Sequence, residues 1–334
     1  TLNNLGNALR DLRRYEAAVE ALEEALAIHK RLAQLLPPLF EPYLATTLNN
    51  LGNALRGLRH LEAAVEAYQE ALAIYRRLAQ QPQMYESDVA ETEDNLFSFV
   101  EEFASEQTQV YESDVATTLN NLGNALRDLR RYEAAMEAYQ EALAIRRRLA
   151  QDQPQVYESD VATTLNNLGN ALYQSRRLEE AVGAFEEALA IYRRLAQDQP
   201  QVYEPNLAMT LNNLGNALSE LRRLDAAEEA YQEALAIYRR LAQQQPQVYE
   251  PNLAMTLTNL GAALYKLRRL EEAVGAFEEA LAIRRRLAQD QPQVYEPDVA
   301  GTLNNLGVAL YQLRRSEEAV GAFEEALAIY RRLA

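Results

Sequence analysis

The sequence predicts an all-α solenoid of helix-turn-helix repeats with a period of 46 residues. Three observations predict it. The string TLNNLGNAL, or a close variant, starts at Thr1, Thr47, Thr118, Thr164, Thr210, Thr256 and Thr302. Five of the six intervals are 46 residues, and the one from Thr47 to Thr118 is 71. Within each copy, apolar residues recur at helical spacing in two successive stretches. A fixed period of this size marks units too small to bury their own apolar faces, which therefore stack on one another.

The fourth copy illustrates the unit. Ser159 or Asp160 is placed to cap a first helix from about Val161 to Gln174, using a side-chain oxygen for the orphan N–H groups of the first turn. Pro205, Pro251 and Pro297 stand near that point in other copies, which suits a first helical position. Leu165, Leu168 and Leu172 form one apolar stripe beside Gly169. A glycine inside a helix costs about 1 kcal/mol relative to alanine, and its recurrence at Gly6, Gly52, Gly123, Gly169, Gly215, Gly261 and Gly307 predicts close approach of a second helix. A polar turn (Ser175, Arg176, Arg177) leads to that helix, from about Leu178 to Ala196, which packs through Ala181, Phe185 and Ala188. Its acidic residues come early (Glu179, Glu180) and its basic ones late (Arg193, Arg194), matching the helix dipole. A polar linker follows. Its aromatic (Phe40, Tyr111, Tyr157, Tyr203, Tyr249, Tyr295) reads as a wedge between units.

The long interval contains a degenerate unit. YESDVA occurs at Tyr85 and again at Tyr111, and aligning the two shows that the first lacks the turn and most of the second helix. One helix over about Asp88–Ser105 is expected, followed by a linker. The array then divides into repeats 1 and 2 (1–84), a single-helix unit (85–110) and repeats 3 to 7 (111–334), stacked as one continuous solenoid. Phe97, Phe99 and Phe103 are three of the seven phenylalanines. Either they fill the space of the missing helix, or they form an open site for a helix of another chain. The first linker is also unusually apolar, with Leu36, Leu39 and Phe40 available for local packing or for a partner.

Composition excludes several functions. The net charge of −16 is the wrong sign for nucleic acid and for anionic membrane surfaces. No apolar run approaches a membrane span. The absence of cysteine removes disulfides, thiol catalysis and zinc–cysteine sites, and fits a cytoplasmic protein. The chain opens on a repeat motif and stops on a helix, as a fragment would, so missing targeting signals mean little. His29 and His60, the only histidines, stand at positions read as exposed, with no serine or threonine recurring beside them, and no phosphate-binding glycine loop is present. No catalytic site, metal or cofactor is expected.

Leu165, Leu168, Gly169, Leu172, Ala181, Phe185 and Ala188, at these offsets within two helices, resemble the tetratricopeptide repeat. Leucine replaces the usual tryptophan, and the proline that normally ends the second helix is absent at Arg193, so that helix should run longer. The period resembles the long repeats of kinesin light chain and of arrays attached to signalling ATPases or protease-like effectors. The resemblance implies a right-handed superhelix with a concave groove lined by the first helices. It also implies groove positions three before the Leu-Gly glycine, and one and four after it. The first row is Asn3, Asn49, Asn120, Asn166, Asn212, Thr258 and Asn304; the second is Asn7, Asn53, Asn124, Asn170 and Asn216, then Ala262 and Val308. Asparagines in these rows either hold the main chain of an extended peptide, or bond between neighbouring helices, or simply face water. The next row, Asn4, Asn50, Asn121, Asn167, Asn213, Asn259 and Asn305, reads as structural.

The third groove row changes along the array: Arg10, Arg56, Arg127, Tyr173, Ser219, Tyr265, Tyr311. Arginine grips carboxylates and tyrosine offers rigid amphipathic surface, so a protein or peptide with an acidic end at the first three repeats is the expected partner. The competing expectation is a homo-oligomer, in which near-identical units stack end to end into filaments.

Overall fold

The computed structural model describes residues 1–80 and 94–333, and the side chains of 94–105 are outside that description. The expectations for Asp88 and for Phe97, Phe99 and Phe103 therefore lie outside the described residues. The chain divides into two compact units, Thr1–Ser175 and Arg176–Ala334. Unit one contains α1 (Leu2–Asp11), α2 (Tyr15–Leu35), α3 (Pro37–Gly57), α4 (Leu61–Gln80), α5 (Asp94–Asp128), α6 (Tyr132–Asp152) and α7 (Pro154–Gln174). Unit two contains α8 (Leu178–Asp198), α9 (Pro200–Glu220), α10 (Leu224–Gln244), α11 (Pro246–Lys266), α12 (Leu270–Asp290), α13 (Pro292–Gln312) and α14 (Ser316–Leu333). Each unit is an all-α repeat array in which every helix packs on the next. First helices of neighbouring repeats also meet backbone to backbone: α1, α3, α5 and α7 in unit one, and α9, α11 and α13 in unit two. Second helices of neighbouring repeats make no such contact among the described residues. Long side chains bridge them instead, as in Lys30–Glu70 at 2.9 Å, Arg76–Glu141 at 2.5 Å and Arg239–Glu279 at 2.8 Å.

The first helices begin earlier than the sequence suggests. α7 starts at Pro154, not near Val161, and Ser159 and Asp160 lie inside it rather than at its cap. Pro154, Pro200, Pro246 and Pro292 occupy the first turn, where a fixed φ helps and the missing N–H costs nothing. Pro205, Pro251 and Pro297 are interior residues one turn further on. The carbonyl deprived of a partner by Pro205 belongs to the exposed Gln201, so water can satisfy it. What reads as a linker is thus a helical turn joined through one extended residue, such as Gln199 with φ −134° and ψ 69°. Because α8 runs on to Asp198, Arg193 is not in its last turn, and it pairs with Glu233 at 2.8 Å. α5 is continuous, so residues 106–110 are helical where a linker was expected.

The other connection is a tight helix C-cap. In the turn after α9, the Arg222 N–H donates to the Ser219 carbonyl and the Arg223 N–H to the Leu218 carbonyl, the Schellman pattern. Arg222 is left-handed at φ 61°, as are Arg13, Arg59, Arg130, Arg176, Arg268 and Arg314 at equivalent turns. An arginine in this conformation is strained relative to glycine.

The apolar residues read from the fourth copy are buried: Leu165, Leu168, Leu172, Ala181, Phe185 and Ala188. The glycine row does bring helices together. A Cβ built on Gly215 would lie 2.5 Å from Tyr231 Cε1, and one on Gly261 would lie 2.7 Å from Phe277 Cε1. The ring packs against a bare stretch of helix, and Tyr231 and Phe277 are almost wholly buried. His29 departs from expectation. It is half-buried and its Nδ1 lies 2.9 Å from Thr47 Oγ1, with desolvation lowering its pKa. His60 is exposed.

One position shows matched substitution. Arg146 and Arg284 donate to the Asp160 and Asp298 carbonyls, so an aspartate there has a cation beside it. The corresponding sequence pairs elsewhere are Tyr192 with Asn206 and Tyr238 with Asn252. Between α4 and α5 the match fails. Tyr75 lies close enough to Asp114 for their charges to interact, and burial pushes the Asp114 carboxyl up to about 6. A raised carboxyl pKa favours folding below the unfolded value of 3.8, and that contribution is lost as pH rises through about 6.

Two predictions follow from this packing. Gly215→Ala is expected to lower the urea unfolding free energy by about 1–2 kcal/mol, because overpacking outweighs the gain in helix propensity. Gly275→Ala, with nothing within 4 Å of its Cβ, is expected to raise it by up to about 1 kcal/mol. Like signs for the two would refute the close-packing account. Asp114→Asn is expected to stabilise the chain by about 1–2 kcal/mol at pH 7.5, after allowing for partial solvation of the carboxyl. The gain should shrink towards zero near pH 4, as urea curves at both pH values would reveal.

Candidate peptide-binding face

The three predicted rows lie on the first helices, on the side where those helices meet. The first row is largely tied into the array. Asn50 Nδ2 donates to Asn3 Oδ1 at 3.1 Å, Asn121 to Asn49 at 3.2 Å, Asn167 to Asn120 at 3.1 Å and Asn259 to Asn212 at 3.0 Å. Each bond joins one repeat to the next. Asn120, Asn166 and Asn212 are buried, whereas Asn304 is exposed. Thr258 turns back to the Ala254 carbonyl.

The second row is tied within the repeat. Tyr68 Oη donates to Asn53 Oδ1 at 2.8 Å, Tyr139 to Asn124 at 2.9 Å and Tyr231 to Asn216 at 2.8 Å. These are the same rings that pack on the glycines. Burial holds the Tyr139 phenol up at about 12, so it stays a donor. Where Leu22 replaces the tyrosine, Asn7 Oδ1 is buried without a hydrogen-bond partner. Asn170 is half-buried. The oxygens of the bonded asparagines are thus engaged, and what they can offer a ligand is the amide N–H.

The third row borders the open space. In unit one, Arg10, Asn53 and Arg56 come together around a cleft of about 720 Å³. Arg10 pairs with Asp11 at 3.0 Å and Arg56 with Asp128 at 2.8 Å. Arg127 is half-buried, 3.5 Å from Asp128, and does not line the cleft. Two arginines that the groove rows did not include, Arg13 and Arg59, complete the wall with Tyr15 and Gly57. In unit two, Ala262, Tyr265 and Val308 border a smaller apolar cleft of about 230 Å³ with Phe277, Lys266 and Asn305. Lys266 Nζ donates to Ser219 Oγ at 2.9 Å. Tyr173 is half-buried, Ser219 is buried and Tyr311 is 64% exposed. In the first connection, Leu36 and Leu39 are exposed, and the Phe40 ring lies 6.3 Å from that of Tyr43. The arginine-to-tyrosine drift of the third row was legible in the sequence. Arg13 and Arg59 were missed because they belong to the turns. The signal that could have found them is Gly57, which stands where Asp11, Asp128 and Glu220 stand in other repeats.

Among the described residues no helix is long and apolar enough to cross a membrane. Tetratricopeptide-repeat family models match residues 114–194, 160–240 and 252–332, and residues 1–34 and 44–81. A comparison with curated protein sequences gives no match. Among solved structures, the chain is similar to BtubC (BKLC) from P. vanneervenii, with a TM-score of 0.60 and 23% identity over 82% of this chain and 92% of that one. It is similar to a putative kinesin light chain from Podosopora anserina with nearly identical repeats, at a TM-score of 0.53 and 18% identity over 66% of this chain and 97% of that one. It is also similar to aspartyl phosphate phosphatase F from Bacillus subtilis, at a TM-score of 0.56 and 16% identity over 97% of this chain and 68% of that one. At such identities the likeness is one of fold. The family models, which together match most of the sequence, carry the assignment: the chain belongs to the tetratricopeptide-repeat family.

Proposed function

We propose that the chain is a non-catalytic scaffold that binds a protein or peptide along the concave groove lined by its first helices. The observation that carries this reading is the asymmetry of the array. First helices meet backbone to backbone while second helices are bridged by long side chains, so the first-helix face is the inward one within each unit. Residues of the third row border both clefts, Arg10 and Arg56 in unit one and Tyr265 in unit two, which supports the reading. An extended peptide would lie across the asparagine amides, with its acidic end at Arg10, Arg56 and Arg127. Its apolar part would meet Tyr265 and Tyr311. Arginine supplies bidentate charge-assisted bonds there, and tyrosine supplies contact area at low entropic cost.

A second reading, end-to-end stacking of copies, draws on the register of the ladders. Asn4 and Asn304 are the outermost members of the asparagine ladder, and both are exposed. Glu24 and Arg331 hold the equivalent places in the ion-pair ladder. Val320 is 53% exposed where its counterpart Val274 is 4% exposed. A second copy could supply each partner.

A labelled hexaglutamate peptide tests the groove. Arg56→Glu with Arg127→Glu is expected to weaken its binding by about tenfold or more, read by fluorescence anisotropy at low salt. Unchanged affinity would defeat the acidic-end reading. For stacking, the molar mass of the 334-residue chain by light scattering should climb with concentration without a plateau. A constant 37.7 kDa would reject it.

A further inference from the structure

The cleft in unit one has a charge balance unlike the rest of this acidic chain. Arg10 and Arg56 are neutralised by Asp11 and Asp128. Arg13 and Arg59 line the same space, are exposed, and make no ion pair among the described residues. One turn in unit two shows how such an arginine can be neutralised, although Arg222 and Arg268 have Lys266 and Gln312 at the same offset. There Arg176 pairs at 2.8 Å with Glu220, the residue five after the glycine of the next repeat. For Arg13 that position is Gly57, so the carboxylate is missing. For Arg59 it is Asp128, which is already engaged by Arg56. Gly57 also admits the Tyr15 ring, since a Cβ there would lie 2.4 Å from Tyr15 Cε1. The outcome is a cleft of about 720 Å³ with two guanidiniums to spare beside two that are already paired.

We propose that this cleft binds a phosphate monoester dianion, held between Arg13 and Arg59 with Arg10 and Arg56 behind them. Two uncompensated guanidiniums match the charge of the dianion, and the planar fork of arginine matches its oxygens. The chain's net charge of −16 opposes any anion at long range. Screening confines that opposition to about a Debye length of 8 Å, within which the arginines decide. The dianion is either a phosphorylated side chain of a bound protein or a free phosphate-bearing molecule. The site shares Arg10 and Arg56 with the groove-peptide reading but does not rest on it, because it needs no peptide to be occupied.

The test uses orthophosphate, N-acetyl-O-phosphoserine methylamide and succinate, titrated calorimetrically into the full chain at about 0.15 M ionic strength, where that screening length applies. Arg13→Gly with Arg59→Gly removes the free guanidiniums while relieving two left-handed residues, at φ 58° and 63°, so loss of fold is not a concern. Arg222→Gly is the matched control in unit two, at φ 61°. Saturable binding of a phosphate probe, weakened about tenfold or more in the double variant and unchanged in the control, is the expected result. Tighter binding of the phosphoserine derivative than of orthophosphate would identify a phosphorylated side chain as the source, and equal binding a free phosphate. The proposal is overturned if neither phosphate probe saturates by about 10 mM. It is likewise overturned if the double variant titrates like the parent, or if succinate binds as well as phosphate. Failure of the unsubstituted chain to bind hexaglutamate while it binds phosphate would sink the groove reading and leave this one standing.

Discussion

The contact between a glycine of the first helix and a buried ring of the second is the constraint on which the repeat depends. With Tyr231 Cε1 only 2.5 Å from where a Gly215 Cβ would sit, no other residue type permits the same interaxial approach. The close approach buries the ring, and the buried tyrosine hydroxyl then needs an acceptor. Asn216, one residue beyond the glycine, supplies it at 2.8 Å. Glycine, ring and asparagine thus form one device. Where phenylalanine replaces tyrosine, the acceptor is free to change, and Ala262 and Val308 follow Gly261 and Gly307, which face Phe277 and Phe323.

The same economy governs the contacts between repeats. Within the units, asparagine pairs of the first helices carry a donor and an acceptor from one repeat to the next, as in Asn50 to Asn3 and Asn259 to Asn212, and Thr258, which turns back to Ala254, is an exception. On the outer side, arginine and glutamate of successive second helices do the equivalent at longer reach, as in Arg285 and Glu325 at 2.6 Å. These exposed pairs add little stability individually. They help set register, because a shifted repeat would place arginine opposite something other than glutamate. The polar residues that look most suited to a peptide are therefore partly spent on the array. The third row, which has no such duty in every repeat, is where chemistry varies and where the clefts open.

Mismatches within this regular pattern are the informative positions. Tyr75 lies near Asp114, although Arg146 and Arg284 go with aspartate and Tyr192 and Tyr238 correspond to asparagine, and a half-buried carboxyl is left with no cation beside it among the described residues. Gly57 replaces a carboxylate, and two turn arginines are left without a counter-charge. Both lie in unit one, around the helices on either side of the long interval, and both exchange local satisfaction for an exposed or titratable group. In an array of near-identical units such departures can be read against the other copies: at the Gly57 position three carry a carboxylate (Asp11, Asp128, Glu220) and three a longer amide or amine (Gln174, Gln312, Lys266), and Gly57 alone has no side chain.

The sequence by itself determined the repeat, its period, the two-helix unit and the buried stripe, because these depend on local periodicity and on the impossibility of burying one unit alone. Leu165, Leu168, Leu172, Ala181, Phe185 and Ala188 could all be read as core for that reason. Helix starts were misplaced because proline signals both a loop and a first turn, and which of Pro200 and Pro205 opens α9 depends on backbone geometry. Whether the groove asparagines face a ligand or one another was equally closed to the sequence, since a side chain with donors and an acceptor fits both. Tertiary structure decided that their oxygens bond between repeats and to buried tyrosines. It alone brought Arg13 and Arg59, 46 residues apart, to one cleft, because that juxtaposition depends on how one repeat stacks on the next.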